Sequence, residues 1–321
     1  MRITLVAPAG IPTRGYGGTE RQVEWLAAEL VRLGHGVTVI AGQKTGDAPF
    51  EIRQAGTFQD ISDAIPADTQ LVHFHGPYLD VPFPSLNTCH IVGLDMSRIA
   101  GPEAATSPRN WSFVSASHAR SYGRTTFVYN GFPVDAYRLA GHKNRRMLFL
   151  AGIARAGKNL NRAVDLARKY DLGLDIAGGV RWKLLTRSQV RRDMVFLKTL
   201  ASRYRFHGIV DGDIKLKLLG EARAFINPVA WEEPFGMAPV EAMLCGTPVL
   251  ATPRGAMHEI IDPETGRLFE TDDEFAAALG EVDALSPLQC REKAADRFSI
   301  GKTAQGYLDL YGRILDGELL P

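Results

Sequence analysis

The chain has 321 residues, enough for two domains of ordinary size. Its 37 basic and 36 acidic side chains leave a net charge of +1, which removes any global drive toward nucleic acid. Apolar content of 45% is that of a globular protein, and no apolar run approaches the ~20 residues needed to span a bilayer.

Residues 3–7 form a continuous apolar run, as strands buried on both faces do. After a loop over 8–18, an amphipathic helix is expected over about 19–33, with Val23, Leu26, Ala27, Leu30 and Val31 on one face. Thr19 is a candidate cap for it and Gly34 a good stop. Segments 37–41, 71–74, 90–92, 112–115 and 126–129 read as further short strands of a first domain. A polar, basic break at 141–146 reads as the connection between domains. Beyond it follow strand 147–151, helix 161–169, strands 174–177 and 205–210, helix 213–222, strand 224–228, helix 237–245 and strand 248–251. Helical patterns fill 273–282, 287–297 and 301–315. This alternation predicts an α/β protein with two doubly wound parallel sheets. The expected domains are 1–142, 143–298 and a last helical segment, 299–321.

Cys89, Cys245 and Cys290 are odd in number and lack metal-type spacing, so they read as free thiols of a reducing compartment. Residues 1–7 are too short for the apolar run of a leader, and a cytoplasmic protein is expected. The segment 181–205 is strongly basic: Arg181, Lys183, Arg187, Arg191, Arg192, Lys198, Arg203 and Arg205 stand against the single acid Asp193. It reads either as a solvated helical face or, with Trp182, as a weak contact for an anionic acceptor or the inner face of a membrane.

The most informative stretch is 231–261, WEEPFGMAPVEAMLCGTPVLATPRGAMHEII. Glu233 and Glu241 have seven residues between them. Glu233 falls on a loop beyond a strand's carboxyl end, where open α/β sheets hold ligands. Glu241 falls in the first turns of a helix starting near Met237, and Pro239 in that first turn costs no hydrogen bond. The N–H groups at such a helix start form an anion site. One acid on a sugar, one on a ribose and a phosphate at the helix tip would suit a nucleotide-sugar.

The string resembles the signature of the family-four retaining glycosyltransferases. The resemblance implies the GT-B fold, in which two Rossmann-like domains face each other across a cleft. It also implies hexosyl transfer from a nucleotide-diphosphate sugar (UDP or GDP form) to an acceptor hydroxyl, without metal or cofactor. The acceptor (small molecule, glycan or lipid-linked) is left open. The opening GYGGTER, which is similar to bacterial antibiotic-pathway sugar transferases, carries Gly15, Gly17 and Gly18 after the first strand, and Gly17 and Gly18 match glycines that face the donor phosphates. His75 in LVHFHGP matches a histidine beside the transferred sugar; His73 shares its strand face, and a metal pair there lacks a third ligand. Ser115, Ser117 and the segment 130–135 match the end of the first domain, and Tyr307 and Tyr311 match a last helix that returns to it. Lys158 matches the diphosphate lysine, but Ile153 stands where relatives carry an arginine, which makes Arg155 the candidate substitute. Gly178, Gly179 and the segment 207–209 match the nucleotide edge, with Ile209 near the base. The backbone of Phe235, Gly236, Met237 and Ala238 is implied at the sugar and phosphate, and Gly255 and Glu259 behind the diphosphate. Asp211 and Asp213 mimic a metal-binding D-x-D, but their place before a helix makes Asp213 a cap. Lacking G-x-G-x-x-G, the chain does not read as a nicotinamide oxidoreductase. A sugar-nucleotide binding protein with weakened catalysis, or a GT-B epimerase or phosphorylase, stays open as an alternative.

Overall fold

The computed structural model describes residues 1–7, 9–13, 17–76, 78–91, 93, 110–185 and 194–321. Gly15, Val92 and the basic-segment residues Arg187, Arg191, Arg192 and Asp193 therefore lie outside the described residues. The chain divides into two compact units, 1–133 with 298–321, and 134–297.

Among the described residues the main sheet of the first unit has six parallel strands: β1 (Arg2–Val6), β2 (Gly36–Ala41), β3 (Glu51–Gln54), β4 (Leu71–Phe74), β5 (Ser85–Cys89) and β6 (Asn110–Phe113). Their order is β3-β2-β1-β4-β5-β6. Helix α1 (Gly18–Arg32) buries Val23, Leu26, Ala27 and Leu30, the face its periodicity defines. It ends where the Gly34 and His35 amides bond back to the carbonyls of Val31 and Leu30. Its cap is Gly17, without a side-chain hydrogen bond, so Thr19 is the second helical residue and not the cap. The strand expected at 90–92 forms instead at Ser85–Cys89, because Leu86 and Cys89 fit the buried layer between β4 and β6. Expected strand 126–129 is reduced to one bridge, Phe113 to Phe127.

The second unit repeats the plan. Strands β7 (Arg146–Leu150), β8 (Gly173–Ala177), β9 (Tyr204–Gly208), β10 (Ala224–Asn227), β11 (Val249–Ala251) and β12 (Gly266–Leu268) are all parallel, in the order β9-β8-β7-β10-β11-β12. Helices α2 (Leu160–Lys169), α3 (Gly212–Glu221) and α4 (Met237–Leu244) follow β7, β9 and β10. The cap of α3 is Asp211, which places Asp213 inside the first turn and not at the cap. In both sheets strand order reverses beside the first strand, and the crevice at such a switch point is where doubly wound sheets bind ligands.

The last helix, α5 (Ile300–Leu315), belongs to the first unit. Tyr311 is fully buried, and its hydroxyl meets His73 Nδ1 at 2.7 Å. His73 Nε2 meets Thr88 Oγ1 at 2.7 Å; that hydroxyl also lies 2.7 Å from Ser112 Oγ and donates to the Tyr307 hydroxyl at 3.3 Å. Gly131 is held on both sides, exchanging two 2.9 Å hydrogen bonds with the Gln22 amide of α1. The fold thus stitches its C-terminal helix to the first sheet through a buried polar network, which stabilises only when every member is satisfied. Tyr311→Phe leaves one His73 nitrogen unmatched in the core and is expected to cost about 1–3 kcal/mol in urea unfolding. A loss within error would show that the network is not what secures α5.

Candidate functional site

The switch point of the second sheet lies between β7 and β10, and the loops leaving those strands are joined there. Lys158 ends a 3-10 turn (Ala156–Lys158) after β7, and its Nζ donates to Glu233 Oε2 at 2.5 Å. Glu233 lies beyond β10, and Trp231 Nε1 donates to the same oxygen at 2.8 Å. The Lys158 ammonium also lies 5.1 Å over the Trp231 ring, and the Ala230 amide bonds to the Gly157 carbonyl at 2.9 Å. Both charges of this pair are largely out of water, with side-chain exposure of 19% and 8%. A carboxylate so placed costs several kcal/mol unless a cation and donors meet it.

Glu241, in α4, is handled the same way by different residues. Lys215 Nζ from α3 donates to its Oε1 at 2.5 Å, and the Tyr137 hydroxyl donates to that oxygen at 2.9 Å. In each acid, one oxygen takes a lysine and an aromatic donor. The other, Oε1 of Glu233 or Oε2 of Glu241, has no hydrogen bond among the described residues.

The backbone behind the acids is fixed by close contact. Gly255 adopts φ +57°, its amide donates to Glu232 Oε2 at 2.5 Å, and a Cβ there would lie 2.3 Å from the Glu233 carbonyl oxygen. Only glycine fits that position. The Ala256 amide completes the clamp, donating to the same carbonyl at 2.9 Å. The cap of α4 is Gly236, with no side-chain cap. Phe235 is buried, and Met237 and Ala238 are half-buried.

Ile153 is a core residue. It is 2% exposed and packs against Gly179, where a Cβ would meet its side chain at 2.6 Å. Arg155 is exposed, its side chain runs back along Gly152, and its guanidinium has no partner among the described residues. The Gly178 and Gly179 amides donate to the Gly208 carbonyl at 2.7 and 3.1 Å, joining the ends of β8 and β9, and Ile209 just beyond is 63% exposed. Lys158, Arg155, Gly179, Ile209, Glu233 and the α4 tip therefore all follow carboxyl ends of one sheet.

In the first unit, Gly17 and Gly18 open α1 after β1, and the His75 amide bonds to the Val6 carbonyl at 2.9 Å, beside the first sheet's own switch point. The two strand histidines differ sharply. His73 has both ring nitrogens matched, whereas His75 meets only His90, Nδ1 to Nε2 at 3.0 Å, and its buried Nε2 has no partner among the described residues. Loss of hydration holds both rings well below the usual imidazole range, helped at His75 by His73 and His90. His75 is thus a neutral hydrogen-bonding group at physiological pH and supplies no cation for a phosphate. The basic segment is partly neutralised: Lys198 pairs with Asp165 at 2.9 Å and Arg203 with Asp171 at 2.7 Å, while Trp182 stays 70% exposed.

Sequence reasoning missed Lys215, Tyr137, Trp231 and His90 as partners of the site residues. Trp231 and Tyr137 sit within or beside quoted motifs, but Lys215 is one lysine among others on α3 and gives no signal in sequence.

Residues 145–282 match the family model described as glycosyl transferases group 1. The lipopolysaccharide core biosynthesis mannosyltransferase LpsB of Rhizobium meliloti is 27% identical over 314 residues, covering 94% of this chain and 77% of that protein. The chain spans 45% and 77% of the lengths of two curated relatives it matches. In structure, the chain is similar to AviGT4, a glycosyltransferase involved in avilamycin A biosynthesis, with a TM-score of 0.80 at 23% identity over 99% of this chain and 98% of that one. Anabaena HepE in complex with UDP-glucose gives a TM-score of 0.76 at 16% identity over 97% and 99%. The fold is GT-B, and the segment 145–282 is similar to the group 1 glycosyl transferases.

A cycle of Lys158→Met, Glu233→Gln and the double variant tests the buried pair. Lys158→Met alone is expected to lose about 2–4 kcal/mol in chemical denaturation and the double variant clearly less than the sum of the two. Strict additivity would show that the charges are uncoupled.

Proposed function

We propose that this chain moves a hexosyl group from a nucleotide-diphosphate sugar to an acceptor hydroxyl with retention at the anomeric carbon. The observation that carries the reading is the matched pair of buried acids, each with one oxygen anchored and one left for a ligand, beside the uncapped tip of α4. The UDP-glucose held by the similarly folded HepE agrees with such a donor.

In this reading Glu241 Oε2 accepts from the ribose hydroxyls, since its other oxygen is spent on Lys215 and Tyr137. Glu233 Oε1 and the turn at Phe235 to Met237 take the sugar hydroxyls. Lys158 serves Glu233 with one proton and has two more for the diphosphate. Arg155 and the amides at Met237 and Ala238 add to its charge stabilisation. Gly17, Gly18 and His75 carry the first unit's share, His75 as a neutral hydrogen-bonding partner of the sugar. Neither glutamate suits a nucleophile, because each already shares its charge with a lysine. The bond from the anomeric carbon to the phosphate oxygen breaks, and the acceptor oxygen bonds to that carbon on the same face. The acceptor's proton passes to the departing phosphate. The chemistry assigned here needs no metal. A weak contact of the basic segment with an anionic membrane face belongs to the same proposal and is supported by the exposed Trp182.

A thermal-shift screen over UDP, GDP and their sugars should give a stabilising nucleotide by mass action. Titrating that nucleotide, Glu241→Ala is expected to weaken affinity roughly 10–100-fold, the worth of hydrogen bonds to a charged group. Unchanged affinity and turnover would remove Glu241 from the donor site. Co-sedimentation with anionic vesicles, lost on adding salt and in Trp182→Ala, is the expected signature of the membrane contact; sedimentation indifferent to both would dismiss it.

A further inference from the structure

The second unit has a cavity of about 560 Å³ at the opposite end of its sheet from the donor site. Lys143 and Arg145 on its wall immediately precede β7, and Arg223 immediately precedes β10, so they stand at amino ends of strands whose carboxyl ends lead to Lys158 and Glu233. A five-residue strand spans roughly 16 Å, which separates the two places. The volume is that of a small-molecule site.

Its electrostatics are one-sided. Asp283 is the acid on the wall, and Arg223 neutralises it with two 2.8 Å contacts, Nε to Oδ1 and Nη2 to Oδ2. Arg145 is exposed and has no partner among the described residues. Lys143 donates to Thr247 Oγ1 at 2.5 Å and meets no carboxylate among the described residues. Two cations are therefore left without counter-charge. Burial pushes the Lys143 amine down to about 8, and the thiols near it, Cys290 and Cys245, are themselves pushed up to about 12 and about 11 and supply no anion at neutral pH. A poorly hydrated cation without an anion is costly to keep, and that cost falls when an anion arrives. Apart from Asn144, whose Oδ1 accepts from the Arg146 amide at 2.8 Å, the rest of the wall is Pro248, Val282, Leu285 and Pro287, which suits the carbon face of a ligand larger than a bare ion.

We propose that this cavity is a binding site for a small phosphate monoester, whose dianionic phosphate is held by Lys143 and Arg145 while its carbon skeleton lies against Leu285 and Pro287. Such a site is separate from the donor site and independent of its assignment. One hydrogen bond and a short run of chain connect them: Lys143 donates to Thr247, three residues past the end of α4, the helix that carries Glu241.

Trace acetylation of the intact chain, read by mass spectrometry of the Lys143 peptide, tests this at single-residue level. The probes are glucose 6-phosphate, inorganic phosphate and glucose. Glucose 6-phosphate is expected to slow labelling of Lys143 roughly tenfold at neutral pH, because each unit by which an anion raises an amine's pKa cuts its neutral fraction about tenfold. Inorganic phosphate should protect at higher concentration, and glucose should not protect. Arg145→Ala, a change at an exposed side chain, should shift the protection curve to higher concentration by roughly tenfold, the worth of one charged contact. Protection should persist in the Lys158→Met/Glu233→Gln double variant, whose donor site is altered. The inference is overturned by labelling indifferent to both phosphates, by equal protection in Arg145→Ala, or by protection that disappears with the donor-site double variant.

Discussion

A carboxylate removed from water has to be met by a cation and by hydrogen-bond donors, and two carboxylates of the second unit set its architecture by that requirement. Glu233 brings the loops after β7 and β10 together, because its partners Lys158 and Trp231 come from one loop each. Glu241 does the same for α3 and α4 through Lys215, with Tyr137 as second donor. Each acid is anchored through one oxygen only. The lysine and the aromatic donor hold each side chain in place, while the second oxygen keeps its acceptor capacity among the described residues.

The first unit uses the same rule with neutral groups. His73, Thr88, Ser112, Tyr307 and Tyr311 satisfy one another in the core, so that histidine is structural and holds the final helix. Just past the end of the same strand, His75 has one nitrogen matched and one without a partner among the described residues. A buried ring nitrogen without a partner costs on the order of 1–3 kcal/mol. That cost falls on the histidine at the sheet's switch point.

Much of the fold was legible in the sequence, since buried parallel strands are short apolar runs and α1 is amphipathic over its length. The errors lie where burial and local propensity part. Residues 85–89, SLNTC, do not look like a core strand, yet Asn87 and Thr88 are buried: the Thr88 hydroxyl meets His73 and Ser112, and Asn87 Nδ2 donates to the Asn110 carbonyl at 3.4 Å. At α1 and α3 the capping position is set by where the preceding strand lets the chain turn, and glycine or a different aspartate falls there. Ile153 shows another kind of limit. Its departure from the resembled pattern was visible in the sequence, but that its side chain fills the space over Gly179 was not.

The alternation of strand and helix, the two acids with seven residues between them, and Lys158 and Arg155 beyond the first strand of the second unit could be read from the chain alone, because these are local patterns of spacing and chemistry. Tertiary structure alone decided which cation meets which acid, which histidine is saturated, and that Lys143 and Arg145 share a wall with Arg223. Those pairings join residues up to 238 positions apart, such as His73 and Tyr311, and no local propensity encodes a contact made only when the sheet brings its two ends of chain together.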